Sequence, residues 1–194
     1  PDQVRGDEKG KVRNRAEIRR QLPGFAIKTI AFVGWRSNNS SLQRSGRDIG
    51  MTHPLRVLSI ATLFPDAARP NFGLFVEKSL RALAAQPGID LTIVAPLGLP
   101  PWPLSLHSRY RALRALPRQE IWNGLSVHRP RFTLIPRIGA RFNPAKVARA
   151  VLPIARGKGF DVVDAQFFYP DGPAAMRVAD ALGLSFSIKA RGAD

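Results

Sequence analysis

Apolar positions change rhythm along this chain, and the changes mark its elements. Leu55–Ala61 is a short continuous apolar run containing Val57 and Ile60, the pattern of a strand covered on both faces. Thr62–Asn71 carries Pro65 and Pro70, which end any regular element and predict a long loop. From Phe72 the period becomes helical. Phe72, Val76, Leu80 and Leu83 share one face, and Glu77, Lys78 and Arg81 share the other. Pro87-Gly88 closes that helix, and Ile89–Ala95 reads as a second strand. A strand feeding a helix and then a strand is how an open parallel sheet begins, and such sheets bind ligands beyond the carboxyl ends of their strands.

The remainder repeats the alternation. Leu97–Pro103 is a proline-rich loop bearing Trp102. Leu106, Tyr110 and Leu113 predict a short amphipathic helix whose other face gathers Arg111, Arg114 and Arg118. Asn123-Gly124 inside Ile121–Val127 signals a hairpin, and Val127–Ile135 continues as a strand broken at Pro130. Asn143–Ala155 predicts a helix with Asn143 as its cap and Pro144 at its first position. Phe160–Phe167 is a strand, Tyr169-Pro170-Asp171-Gly172 a turn, and Pro173–Leu182 a helix stopped by Gly183. Leu184–Ala190 is the last strand, ahead of Arg191-Gly192-Ala193-Asp194. Alternating strands and helices place the chain in the α/β class, with a parallel sheet between layers of helices.

Residues 1–50 break this pattern. Asp2–Arg20 is polar and aperiodic, Leu22–Trp35 is apolar but interrupted by Pro23, Gly24 and Lys28, and Ser37–Gly50 has linker composition. The charged stretch is too long, and the apolar one too interrupted, for a signal peptide. Met51 stands four residues before the first clear strand, so residues 1–50 are expected to be an upstream extension or disordered leader, and 51–194 the folded domain.

Composition narrows the chemistry. The chain has no cysteine, which excludes disulfides, thiolate metal sites and a cysteine nucleophile, and suits a reducing cytoplasm. The formal net charge of +16 raises the question of a nucleic-acid partner. The excess is mostly arginine, spread over several elements, and no zinc-finger, RNP-type or helix-turn-helix pattern accompanies it, so no nucleic acid is expected. A local alternative is an anionic membrane surface, met by Trp102, Arg109, Arg111, Arg114 and Arg118; an ordinary surface helix explains the same pattern. No segment has the roughly 20 apolar residues of a membrane span.

Familiar catalytic motifs are missing. The three histidines have no metal-ligand spacing, and no Gly-x-Ser-x-Gly or Walker A sequence occurs. The first βα loop holds one glycine, Gly73, instead of a dinucleotide fingerprint. Three loops at carboxyl ends of strands remain: Asn71-Phe72-Gly73, Tyr169–Gly172 and Arg191–Asp194. A glycine at a helix start lets backbone N–H groups approach a phosphate, and arginine can clamp an anion. Equally, Gly73 and Gly172 can serve tight turns, and Asp171 can cap a helix. Because all three fall on one edge of the sheet, a site is expected there.

These loops carry a resemblance. Pro65 to Pro70-Asn71-Phe72-Gly73-Leu74-Phe75-Val76, Asn123-Gly124-Leu125-Ser126-Val127 with Arg129-Pro130, Phe160-Asp161-Val162-Val163 leading to Tyr169–Gly172, and Arg191-Gly192-Ala193-Asp194 occur in order over residues 54–194. The stretch resembles the N-terminal domain of family 4 glycosyltransferases. That resemblance implies a Rossmann-like half of a GT-B fold and retaining transfer of a hexose from a nucleotide-sugar donor to a hydroxyl of a glycan or lipid-linked acceptor. It implies no metal or other cofactor, and a cytoplasmic or peripheral inner-membrane location. By the same resemblance, Asn71, Gly73, Arg191 and Gly192 face the donor phosphates. Tyr169, Asp171, Gly172 and Asp194 shape the acceptor side, and Arg191 lies near the transferred sugar. No residue is assigned to the bond-making step. Arg191 stands where many members have His. The family's C-terminal donor domain, with its paired glutamates, is missing after Asp194, so this chain alone is expected to be inactive. A non-catalytic module binding nucleotide or carbohydrate is the alternative.

Overall fold

The computed structural model describes residues 30–34, 53–135 and 140–190 of the chain. Among the described residues nine strands and four α-helices follow one another: β1 (Ile30–Gly34), β2 (Leu55–Ile60), α1 (Leu74–Ala84), β3 (Ile89–Val94), β4 (Leu97–Leu99), α2 (Ser108–Ala115), β5 (Gln119–Trp122), β6 (Leu125–His128), β7 (Arg131–Thr133), α3 (Asn143–Ala155), β8 (Val162–Ala165), α4 (Asp171–Leu182) and β9 (Ser185–Ala190). Seven strands form one sheet in the order β1-β9-β8-β2-β3-β6-β5. Its five inner strands are parallel, while β1 and β5 close the two edges antiparallel. The predicted α/β architecture, a Rossmann-like sheet between helical layers with a hairpin added, is therefore the observed one. Ile30–Gly34, inside the stretch set apart as a leader, pairs with β9 as an edge strand; the rest of residues 1–50 lies outside the described residues.

The buried strands explain why the sheet needs helices on both sides. Side chains alternate along a strand, so β2 sends Leu58 and Ile60 to one face and Ala61 follows to the other. Leu58, Ile60, Val94, Val163 and Ala165 pack with Val147 and Val151 of α3 and Ala174, Ala175 and Val178 of α4. On the opposite face Ala61, Ile93, Ala95 and Val127 pack with Val76 and Leu80 of α1 and with Phe64. The alanines on α4 let that helix lie close to both α3 and the sheet.

Several boundaries differ from the sequence pattern for physical reasons. Helix α1 starts at Leu74, because Gly73 takes a left-handed conformation with φ of 76° as its cap. Asn143 does not cap α3: Phe142 occupies that position without a side-chain cap bond, and the Asn143 Oδ1 is buried without a partner. The strand expected over Val127–Ile135 divides at Pro130, which has no N–H for the ladder. Beyond it β7 leaves the main sheet and pairs with β4, which lies in the stretch expected to be a proline-rich loop. The hairpin is as read, with Asn123 and Gly124 both at positive φ (48° and 83°).

Helix α2 is the main correction to an expected face. Leu113 and Leu116 are buried against Leu97, with Tyr110 and Leu99 packed beside them. Leu106 belongs instead to a separate 3₁₀ turn, Leu104–Leu106, and is exposed. The apolar face of α2 is thus spent inside the protein. Among the described residues, no helix is long and apolar enough to cross a membrane.

Truncating a fully buried residue of the central strand should be costly. Leu58→Ala is expected to destabilise by ~2–5 kcal/mol, the range for an unfilled core cavity, whereas Ile121→Ser, on a 70% exposed side chain, should stay within about 0.5 kcal/mol. Urea denaturation of the two variants checks this; equal losses would contradict the assigned core.

Candidate functional site

The order of connections selects one place on the sheet. From β2 the chain moves through α1 to β3 on one side, and from β8 through α4 to β9 on the other. The neighbours β2 and β8 therefore send their following helices to opposite faces, and a crevice opens between the two loops at their carboxyl ends. Those loops are 61–73 and 166–170, two of the three singled out in the sequence. Arg191, Gly192, Ala193 and Asp194 follow the carboxyl end of β9 and lie outside the described residues.

The first loop is long but held at several points. At its start, the backbone N–H of Thr62 donates to both carboxylate oxygens of Asp171, at 3.3 and 3.2 Å. Further on, the fully buried Arg129 donates from Nη2 to the Pro65 carbonyl at 2.6 Å and from Nε to Glu120 Oε1 at 2.5 Å. The guanidinium also lies 5.8 Å from the Phe64 ring centre and 6.0 Å from that of Trp122. Within the loop, buried Asp66 accepts from the Ala68 N–H and from Nε and Nη2 of Arg69, whose guanidinium stacks 4.2 Å over Phe72. At the end, a Cβ on Gly73 would stand 2.6 Å from the Leu63 carbonyl oxygen. Glycine is required there twice, by its φ and by that close approach.

The hairpin locks onto the same unit. Glu77 of α1, almost fully buried, accepts from Asn123 Nδ2 at 2.9 Å and pairs with Arg81. The Asn-Gly turn is thus tied to the helix that follows the loop, and Arg129, at the end of β6, is tied to the loop itself. One terminal nitrogen of Arg129, Nη1, has no partner. An arginine buried in this way needs its remaining partners, since an unpaired buried charge is expensive.

The second loop supplies aromatic surface. Phe168 and Tyr169 are exposed, and so is Phe75 at the start of α1, its ring edge-on to Phe167 at 5.9 Å. The next two residues face inward. Asp171 is fully buried and opens α4 with Pro170 as the cap, and its carboxylate joins the two loops. Gly172 is buried, and a Cβ there would come within 3.0 Å of Ile188 Cδ1. Of the residues expected on the acceptor side, Tyr169 is the one with an exposed side chain among the described residues. Asn71 is exposed at the end of the first loop, next to Gly73.

The sequence reading missed a polar row beneath this rim. Ser59, Asp164 and Ser187 lie in register on adjacent strands β2, β8 and β9. Asp164 accepts from Ser187 Oγ at 2.7 Å, Gln166 Nε2 at 2.6 Å and Ser59 Oγ at 3.3 Å, and pairs with Lys189 at 2.5 Å. The signal was present: in the expected strand Phe160–Phe167, Asp164 and Gln166 stand two apart and therefore share a face. Among the described residues, no three His, Asp or Glu side chains converge as a metal site requires.

Comparison with known proteins adds one likeness. No protein-family profile matches the chain, and no solved structure gives a significant match. The chain is 27% identical over 144 residues to the Bacillus subtilis (strain 168) protein named "Putative teichuronic acid biosynthesis glycosyltransferase TuaC". The likeness supports a glycosyltransferase relationship. The matched stretch is 72% of this chain but 37% of that protein, so the chain spans well under half the length of its relative.

Two measurements probe the clamp. Arg129→Ala should cost ~3–5 kcal/mol in denaturant unfolding, because Glu120 is left without its partner; a loss below about 1 kcal/mol would show that the ion pair does not hold the loop. Beside it, His128 is held below its ordinary pKa of 6.5 by burial and, to a lesser extent, by the positive charge of Lys158. The unfolded chain therefore binds this proton more readily, and stability should fall as pH drops from about 6.5 through the lowered native value. Relative to His128→Gln, wild-type melting temperature should decline between about pH 7 and 5 and be unaffected by pH above that; a constant difference would contradict the burial.

Proposed function

We propose that residues 54–194 form the acceptor-side half of a retaining glycosyltransferase. It would move a hexose from a nucleotide-sugar donor to a hydroxyl of a glycan or lipid-linked acceptor. The observation that carries this reading is the crevice between β2 and β8, where a clamped loop ending in a glycine-capped helix stands opposite an exposed aromatic rim. Its support from outside the chain is the likeness to a protein named for teichuronic acid biosynthesis.

The two sides suit different parts of such a reaction. On the donor side, Gly73 brings backbone close to the crevice at the N-terminus of an 11-residue helix. A helix N-terminus favours negative charge, so a sugar-nucleotide phosphate belongs there, with Asn71 at its side. Arg191 and Gly192, next in line after β9, would add a cation near the transferred sugar. On the acceptor side, Phe168, Tyr169 and Phe75 offer ring faces to the apolar faces of a pyranose. Asp171 and Gly172 serve this side from beneath: the carboxylate fixes Thr62, and the glycine lets α4 sit against β9. Asp194 completes the acceptor wall in this scheme.

Grip on the nucleotide is the task left to a second α/β half, as in the two-domain GT-B arrangement. Saturation-transfer NMR on the chain with candidate acceptor oligosaccharides and lipid-linked sugar analogues tests the division of labour. An acceptor should bind with transfer from aromatic protons, Tyr169→Ala should weaken it roughly tenfold, the effect of losing about 1.4 kcal/mol, and added UDP- or GDP-sugar should give no product. Product from the chain alone would overturn the division, and failure of every acceptor class to bind would overturn the acceptor assignment.

A further inference from the structure

We infer that the turn at residues 101–107, with the arginines that follow it, is a docking surface for an anionic lipid bilayer. The turn is compact: the Ser105 N–H donates to the Pro101 carbonyl at 3.1 Å, Leu106 to Pro103 at 2.9 Å and His107 to Leu104 at 3.2 Å. Around it stand three large apolar side chains facing water, Trp102 at 77%, Leu104 at 57% and Leu106 at 55% exposure. Such clustered exposure on one tight turn costs solvation unless a partner covers it. Tryptophan with leucine is the composition that settles at the level of lipid headgroups.

Charge selects which partner. Residues 100–118 contain four arginines and no Asp or Glu. Arg111, Arg114 and Arg118 are exposed, and the fold keeps the first two outward because Tyr110 and Leu113 on the other side of α2, with Leu116 just after it, pack against β4. Helix α2 is also pinned from below: Arg131 donates from Nη2 to the carbonyls of Arg114 and Leu116, at 2.7 and 2.9 Å. The helix therefore cannot roll its apolar face into a bilayer without giving up part of the core. It serves as a rigid cationic platform, and the turn before it is the element that enters the interface. An acidic lipid surface satisfies both parts, since each arginine near such a surface adds attraction and the turn buries its apolar tips. A polyanion such as duplex DNA would use the arginines and leave Trp102, Leu104 and Leu106 in water.

The surface also has a place in the fold. The segment leaves the carboxyl end of β3 through β4, the same end of the sheet that carries loop 61–73 and the aromatic rim. Docking would bring the crevice towards the membrane, although binding itself does not depend on any transfer activity.

Flotation of the full chain with phosphatidylcholine vesicles containing or lacking 30% phosphatidylglycerol tests the proposal. Binding is expected only to the anionic vesicles. Arg111→Gln with Arg114→Gln should weaken it by about 30-fold, at roughly 1 kcal/mol for each arginine. Arg149→Gln with Arg177→Gln, which removes the same charge from exposed positions elsewhere, should weaken it far less. Trp102→Ser should reduce binding, and lipids brominated near the headgroup should quench a larger fraction of the tryptophan fluorescence of the wild type than of Trp102→Phe. Equal binding to neutral vesicles, equal loss from the two arginine pairs, or duplex DNA binding as tight as vesicle binding and indifferent to Trp102→Ser would each overturn it.

Discussion

Two buried charges fix the shape of everything that faces the crevice. Asp171 reaches from the first turn of α4 to the Thr62 N–H, and Arg129 reaches from the end of β6 to the Pro65 carbonyl. Between them they tie the loop after β2 to the strand-helix unit on either side of it. The loop has 13 residues between Ala61 and Gly73 inclusive, long enough to wander if only its ends were held. Neither residue is available to a ligand in the described geometry. Each instead converts a flexible connection into a wall, and a wall held in place before binding costs less ordering when a ligand arrives.

The same economy runs through the hairpin. Asn123 sits in the turn because the turn needs positive φ, and its amide then holds Glu77 of α1. Arg129 ends the same hairpin strand and holds the loop that leads into α1. A hairpin at the edge of the sheet therefore braces the centre of the molecule from one side, while Asp171 braces it from the other. Beneath the loops, Ser59, Asp164, Ser187 and Lys189 link β2, β8 and β9 through side chains as well as through the backbone ladder. The rim is consequently supported by three independent sets of polar contacts, each partly withdrawn from water, where such contacts are strongest and most costly to break.

Much of the fold was legible because strands and helices announce themselves through period. Leu55–Ala61 and Ile89–Ala95 could only be covered strands, and Asn123-Gly124 could only be a turn between strands. What escaped were features decided by partners distant in sequence. Nothing near Leu97 shows that it pairs with Arg131, and nothing near Asp171 shows that its carboxylate belongs to Thr62, 109 residues away. The amphipathic pattern at residues 106–118 was real, but its apolar face is used against β4, and Leu106 belongs to the preceding turn. The candidate loops were found in sequence because each follows a strand; their functional division into donor and acceptor walls comes from the resemblance and stands as a proposal.

Amide hydrogen exchange, read residue by residue by NMR on the whole chain, tests the central claim that the loop is a preformed wall. The N–H groups of Thr62, Ala68, Arg69 and Phe72 all donate within the folded loop or to Asp171. They should be protected without any ligand, with Thr62 approaching the protection of Ile60 in β2, and Arg129→Ala should lower the protection of the loop more than that of α3. Exchange of these four amides at the rate of an unstructured peptide, with β2 protected beside them, would contradict the account.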